Sequence, residues 1–383
     1  MRQAVADALA MLRQRGTAAV RGAGFIPAIQ GLRGISAAAV LIVHIWLIAK
    51  HAGMLPWSFP AWLDFTLPTL GQGVNLFFII SGFLIPASLV RHGSTRKFLV
   101  DRVLRIMPLF VALHLMVFSL GPLIGYKEFR GMPAGEYVET FLANLFFLPP
   151  ITGHFLAQQN SWTLTYEWGF YLLVALAFLG LSGRRPLLLG AALLAGVLAV
   201  LISPFVLYFV LGMGFAFLQV KVRLPRALGW VVWSLSLVLF FYASQYIGSG
   251  IGVPLGFLVY GILLDAGSGP ARLMSRPVFQ YLGRISYSLY LIHPFALFPF
   301  AFLARWVGQH GISMQSWFLF YLVAGPVVVF IASELSYRLI EVGLRRRIAG
   351  WIDGRATRRL PVTLVPPAAE APAFKPPAFK PAE

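Results

Sequence analysis

Residues 29–49 have the sequence IQGLRGISAAAVLIVHIWLIA, an apolar run in which Arg33 and His44 are the only ionisable side chains. An α-helix rises about 1.5 Å per residue, so about 20 such residues cross the roughly 30 Å of hydrocarbon in a bilayer. This stretch therefore predicts a membrane-spanning helix that carries two ionisable groups inside the bilayer.

The rest of the chain repeats this pattern. Of the 383 residues, 58% are hydrophobic and only 11% are charged, too few charges to cover the surface of a soluble protein. We predict an all-α polytopic membrane protein, a bundle of about ten transmembrane helices. The other nine predicted spans are 71–90, 106–125, 161–181, 187–203, 205–220, 228–246, 251–267, 278–303 and 317–341.

The positive charge of the chain is distributed unevenly between the segments that connect these spans. With the N-terminus inside, all but four of the 31 Lys and Arg residues lie inside or at the inner edge of the membrane. Cytoplasmic segments are the ones enriched in Lys and Arg. The sequence therefore predicts an N-in, C-in protein of the inner (cytoplasmic) membrane. The net charge of +18 then faces anionic lipid, and a nucleic-acid partner is not expected.

Three parts of the chain follow from this assignment. We predict a cytoplasmic N-terminal segment at 1–28, a transmembrane domain at 29–342 and a basic cytoplasmic tail at 343–383. The tail is rich in proline and ends in two copies of PAFKP. Such a composition cannot pack a core, so we expect an extended or disordered segment.

Arg33 and His44 are separated by 11 residues, or about three helical turns. Both side chains are therefore expected on one helix face, about 16 Å apart along the axis. Each has a simpler interpretation: Arg33 could extend to the membrane surface, and His44 could form a structural hydrogen bond between helices. The shared face favours a functional pair, because ionisable groups inside a bilayer are costly.

Three further polar residues are predicted at a depth similar to that of His44: Asn75, Glu167 and His293. A contact between Glu167 and His44 would fix the tautomer of the imidazole and stabilise its protonated form, as a general base requires. His293 precedes Pro294, so its alternative role is to satisfy backbone groups that the proline frees.

A second cationic group lies in the segment RKFLVDRVLRIMP, residues 96–108. Arg102 and Arg105 are three residues apart and share a helix face, with Arg96 and Lys97 upstream. Guanidinium groups match phosphate oxygens, so the set could bind a phosphorylated cytosolic ligand. The alternative is that these charges only set the topology.

Other motifs restrict the kind of site. The chain has no cysteine and no His-Glu-x-x-His motif, so no metal site is expected. We interpret four glycines as points of close helix packing: Gly73, Gly82, Gly212 and Gly214. On the residues alone, a secondary transporter or flippase for a small anionic or lipid-linked substrate remains open beside an enzyme.

Six blocks of sequence resemble the acyltransferase 3 family of integral membrane acyltransferases. They include the Arg-x10-His pattern of Arg33 and His44 and the Arg-x-x-Arg pattern of Arg102 and Arg105. The blocks occur in the expected order, at 30–44 (QGLRGISAAAVLIVH), 73–84 (GVNLFFIISGFL), 97–108, 161–171 (SWTLTYEWGFY), 282–294 (LGRISYSLYLIHP) and 333–341 (SELSYRLIE).

The resemblance implies transfer of an acyl group, usually acetyl, from cytosolic acyl-CoA to a hydroxyl of an extracytoplasmic or lipid-linked saccharide. It implies that His44 is the catalytic histidine and Arg33 its companion. Trp162 and Glu167 match the Trp-x4-Glu pattern of the family. The predicted catalytic set is His44, Glu167 and Asn75, with the Asn75 amide as a candidate oxyanion donor. The acyl-CoA would be bound by Arg33, Arg102 and Arg105, and either direct transfer or an acyl-histidine intermediate remains open.

Overall fold

The computed structural model describes residues 25–55, 58–183 and 185–352, and every regular element in these residues is helical, as predicted. The α-helices are α1 (Pro27–His51), α2 (Ala61–Thr66), α3 (Gly73–His92), α4 (Thr95–Ile124), α5 (Ala134–Leu145), α6 (Pro149–Thr152), α7 (Trp162–Ser182), α8 (Pro186–Ile202), α9 (Val206–Leu218), α10 (Arg226–Tyr246), α11 (Ser249–Leu263), α12 (Gly269–Met274), α13 (Pro277–Gln309), α14 (Met314–Ser336) and α15 (Arg345–Ile352). Short 3-10 helices occur at Leu67–Gln72, Lys127–Phe129 and Gln159–Ser161, and a π-helix at Tyr337–Leu344 joins α14 to α15.

Seven helical segments in the described residues are long and apolar enough to cross a membrane, so the chain is a multi-pass membrane protein. Three shorter apolar helices, α8, α9 and α11, coincide with three more of the predicted spans. The seven segments are Pro27–His51, Ala61–His92, Thr95–Ile124, Gln159–Ser182, Arg226–Tyr246, Pro277–Gln309 and Met314–Trp351. The number of ten crossings and the N-in, C-in orientation stay predictions.

The ends of the predicted domains lie partly beyond the described residues. Helical structure continues through α15 to Ile352, ten residues past the predicted end of the transmembrane domain at 342. Residues 1–24 and 353–383 are outside the described part of the chain, so the interpretations of the N-terminal segment and the PAFKP repeats stay predictions.

Two close helix pairs form the centre of the bundle: α1 packs on α13, and α3 packs on α9. At the second crossing, a Cβ on Gly82 would collide with the carbonyl oxygen of Phe209, and one on Gly212 with the carbonyl oxygen of Ile79. Gly73 likewise lies against the backbone of α1, so close packing is confirmed for these three glycines. It is wrong for Gly214, where a Cβ would meet no atom within 4 Å.

Gly212 and Gly214 provide a test of this crossing from one helix. We expect Gly212→Ala to lower the free energy of unfolding by about 1–3 kcal/mol, because the added methyl group must push α3 and α9 apart. Gly214→Ala should leave stability unchanged or raise it by up to about 1 kcal/mol, because alanine favours a helix over glycine. Unfolding of the purified protein in mixed micelles measures both, and equal stabilities would contradict the assigned crossing.

Candidate active site

A cavity between α1, α3, α4, α7 and α13 brings the predicted arginines together. We call it the arginine cleft; it holds about 890 Å³ of space, counting its open mouth. Its polar lining is Arg33, Ser81, Ser88, Arg102, Arg105, Thr163, Glu167, Tyr171, Ser286, Tyr287 and Tyr290, and its apolar lining is Val74, Phe77, Phe78, Ile80, Leu84, Ile85, Ile106 and Leu164. The Arg-x-x-Arg spacing thus places both α4 arginines on the cavity, together with Arg33 from α1.

Arg102 is held firmly at the wall of this cleft. Its side chain is 2% exposed, and Nη2 donates to Oδ2 of Asp101 at 2.5 Å and to Oγ of Ser88 at 3.4 Å. The other carboxylate oxygen of Asp101 accepts from Nη2 of Arg345 at 2.5 Å, which ties α15 to α4. Nε of Arg102 is buried and has no hydrogen-bond partner in the described residues. A buried charged donor without a partner is costly, and an anionic ligand would relieve that cost.

Two carboxylates lie near the other arginines. Glu167 and Glu341 both interact electrostatically with Arg33 and with Arg105. Glu167 accepts a hydrogen bond from the hydroxyl of Tyr171, and Oε2 of Glu341 accepts one from Ser288 at 3.0 Å. Because Asp101 is already paired with two arginines, two carboxylates face the three guanidinium groups of the cleft. The described residues therefore leave the cleft with excess positive charge.

His44 lies in a second, neighbouring cavity, which we call the histidine pocket. Its lining is Val40, His44, Gly71, Gln72, Val74, Gln159, Asn160, Trp162, Phe205 and Tyr290. Nδ1 of His44 lies 2.8 Å from the carbonyl oxygen of Val40, one helical turn earlier. A carbonyl only accepts, so Nδ1 carries the proton and Nε2 is the unprotonated nitrogen. His44 is thus in the tautomer that a general base needs.

His293 from α13 packs edge-on against His44, with ring centroids 4.8 Å apart. Both of its nitrogens are bonded: Nδ1 to the carbonyl oxygen of Leu289 at 2.9 Å and Nε2 to Nδ2 of Asn160 at 3.2 Å. His293 is therefore a neutral neighbour whose orientation is fixed. Within the described residues, no group of three His, Asp or Glu side chains is placed to hold a metal ion.

Pro294 explains the position of Asn160. Proline has no N–H, so the carbonyl of Tyr290, four residues earlier in α13, lacks its usual helical donor. Nδ2 of Asn160 supplies that donor at 2.7 Å. The expectation that His293 satisfies this group is therefore wrong, because Asn160 does so and holds His293 as well. Sequence reasoning missed Asn160, although the proline inside a predicted span indicated that a donor was needed.

The predicted contact between His44 and Glu167 is also wrong. The two side chains form no hydrogen bond or ion pair, and they line different cavities. The reason lies in the rise of α7. Trp162 lines the histidine pocket, and Glu167, five residues later, is about 7.5 Å further along the axis, at the arginine cleft.

Asn75 is fully buried and lines neither cavity. Its Nδ2 donates to Oε1 of Gln72 at 2.8 Å, and Nε2 of Gln72 donates to Oε1 of Gln245 at 2.6 Å. The side chain that reaches the histidine pocket from this part of the chain is Gln72, at the end of the 3-10 helix. No signal in the sequence distinguished Gln72 from Asn75.

The described bundle thus places a cationic cavity next to a cavity with a basic imidazole, a site for an anionic ligand and a proton transfer inside a membrane protein. The acyltransferase 3 family, described as an acyltransferase domain, matches residues 26–336. The chain belongs to this family and is an acyltransferase, and the resemblance predicted from six blocks of sequence is confirmed.

Relatives cover most of the chain. Exopolysaccharide production protein ExoZ of Rhizobium meliloti (strain 1021) is 31% identical over 318 residues, 75% of this chain and 95% of that protein. The Staphylococcus aureus (strain COL) protein named "Putative O-acetyltransferase SACOL0978" is 23% identical over 376 residues, 84% of this chain and 58% of that protein. Nodulation protein 10 of Rhizobium leguminosarum bv. viciae is 33% identical over 154 residues, 37% of this chain and 41% of that protein. No solved structure matches the chain.

Proposed function

We propose that the chain moves an acyl group, in the first place acetyl, from cytosolic acyl-CoA to a hydroxyl of an extracytoplasmic or lipid-linked saccharide. The observation that carries this proposal is the adjacency of the arginine cleft and the histidine pocket. The names of two relatives, one for exopolysaccharide production and one for O-acetyl transfer, support the substrate class. Membership of an acyltransferase family favours this function over the transporter alternative.

The arginine cleft is the donor end of the proposed site. Coenzyme A is a polyanion, and guanidinium groups bind phosphate through charge-assisted hydrogen bonds. Arg33, Arg102 and Arg105 fit this ligand because their charge exceeds that of the neighbouring carboxylates and because Nε of Arg102 is unpaired. Glu167 then acts as a charge partner of Arg33 and Arg105 instead of a partner of His44. We place this end at the cytosolic face of the inner membrane, as the Lys and Arg distribution predicts.

The histidine pocket is the reaction end. His44 Nε2 takes the proton of the acceptor hydroxyl, while the Val40 carbonyl holds Nδ1–H and orients the ring. The hydroxyl oxygen then attacks the thioester carbonyl, and an N–H donor stabilises the oxyanion. We assign that donor to Gln72 in place of Asn75. The Gln72 amide has a second N–H besides the one given to Gln245, and its side chain lines the pocket.

Labelled acetyl-CoA tests this function. We expect the purified protein to release CoA when an extract of membrane glycans is added, and to transfer the label to an alkali-labile ester in that extract. Without the extract, release of CoA should stay at the background of a protein-free sample. Transport of the label into proteoliposomes with no ester formed would refute the acyltransferase assignment of this site.

A further inference from the structure

Only two residues line both cavities: Val74 of α3 and Tyr290 of α13. We call this pair the septum. Every other side chain that lines the arginine cleft lies on one side of it, and His44 lies on the other. The septum is therefore the boundary between the donor end and the reaction end of the proposed site.

The septum is held by its neighbours. The hydroxyl of Tyr290 lies 3.1 Å from Oγ1 of Thr163, and its carbonyl accepts from Asn160 at 2.7 Å. Tyr290 is 8% exposed and Val74 is 6% exposed, so neither side chain can swing into solvent. Phe77 packs against the Tyr290 ring, with centroids 5.8 Å apart. Space at this boundary is thus fixed by packed groups on three helices.

A donor held by Arg33, Arg102 and Arg105 must reach across this boundary. Arg33 and His44 are about 16 Å apart along α1, and the Val74–Tyr290 pair lines the space on both sides. The end that crosses is the thioester with its acyl group. The bulk of that acyl group must therefore fit beside a valine and a tyrosine that are already close-packed.

We propose that Val74 and Tyr290 select the length of the acyl chain and restrict the enzyme to the shortest acyl donors, of which acetyl-CoA is the type. This inference rests on the proposed function, since it concerns the donor of that reaction. A pocket that excludes one extra methylene discriminates by about 10- to 200-fold, and butyryl differs from acetyl by two.

The test compares acetyl-CoA with butyryl-CoA as donors, in membrane vesicles that contain the protein and its native glycan acceptor. The measured quantity is the butyryl-to-acetyl ratio of kcat/KM, obtained from ester-linked label. Val74→Ala removes two methyl groups from the septum, and we expect it to raise this ratio at least tenfold. Val74→Ile adds one methylene and should lower the ratio, which provides a second test if the alanine variant folds poorly.

Val329→Ala is the matched control, because Val329 is a fully buried valine of α14 that lines neither cavity. It should leave the ratio as in the original protein. A ratio unchanged in both Val74 variants, or raised equally by Val329→Ala, would overturn the inference while acetyl transfer by the original protein upholds the proposed function. Absence of acetyl transfer by the original protein would instead overturn the proposed function, and the inference with it.

Discussion

Replacing His44 with alanine is expected to lower the rate of acyl transfer by about 10²- to 10⁴-fold, the usual contribution of a positioned general base. The physical reason is the tautomer. The Val40 carbonyl holds the proton on Nδ1, so Nε2 is the basic atom in the histidine pocket, and His293 has both of its nitrogens bonded and cannot replace it. Acetyl-CoA should bind the variant within about twofold of its original affinity, because His44 does not line the arginine cleft.

His51→Ala is the matched control for this experiment. His51 ends the same helix, is exposed and lines neither cavity, so its replacement should leave transfer unchanged. Transfer rates with labelled acetyl-CoA and binding by titration calorimetry separate the two effects. Near-normal transfer by His44→Ala would contradict the mechanism. Labelled acyl-enzyme trapped on the original protein without acceptor would show an acyl-histidine route instead of direct transfer.

Replacing Arg105 with alanine is the change expected to weaken donor binding most. A hydrogen bond to a charged group contributes about 1.5–3 kcal/mol, so the Kd for acetyl-CoA should rise about 10- to 150-fold. Arg102→Ala should also weaken binding, but it leaves Asp101 without one of its two arginine partners, so part of its effect will be on stability. Arg105→Lys should give an intermediate Kd, because it keeps the charge and loses the planar fork.

Salt dependence and a control variant make this prediction specific. Affinity of the original protein should fall as salt rises, and Arg105→Ala should reduce that dependence because one phosphate contact is gone. Arg226→Ala should bind acetyl-CoA normally, since Arg226 begins α10, is exposed and lines neither cavity. A Kd unchanged in Arg105→Ala, or raised equally in Arg226→Ala, would remove the phosphate-binding role.

Much of the fold could be predicted from the sequence, because hydropathy alone determines which segments enter the bilayer. The seven long helices and the three short ones coincide with the predicted stretches. Helix periodicity also placed Arg102 and Arg105 on one face, and both line the arginine cleft. Spacing within a single helix was therefore reliable.

Contacts between helices were less predictable. Counting residues from a helix end gives a depth, but not the neighbour that a side chain faces. Glu167 was predicted near His44 for this reason, yet the rise of α7 carries it to the arginine cleft. The pairing of His44 with His293 depends on the α1–α13 crossing, where a Cβ on Gly34 or Gly283 would collide with the partner helix. Only the packed bundle shows that crossing.

A sided assay tests the central claim most directly, that acyl groups pass from a cytosolic arginine cleft through the septum to His44. Inside-out membrane vesicles containing the protein would be given labelled acetyl-CoA, and right-side-out vesicles would be treated in parallel. We predict that alkali-labile label appears in saccharide only in the inside-out vesicles, and that it is absent in both when His44→Ala replaces the original protein. Equal labelling from either side, or labelling by His44→Ala at the original rate, would contradict the account.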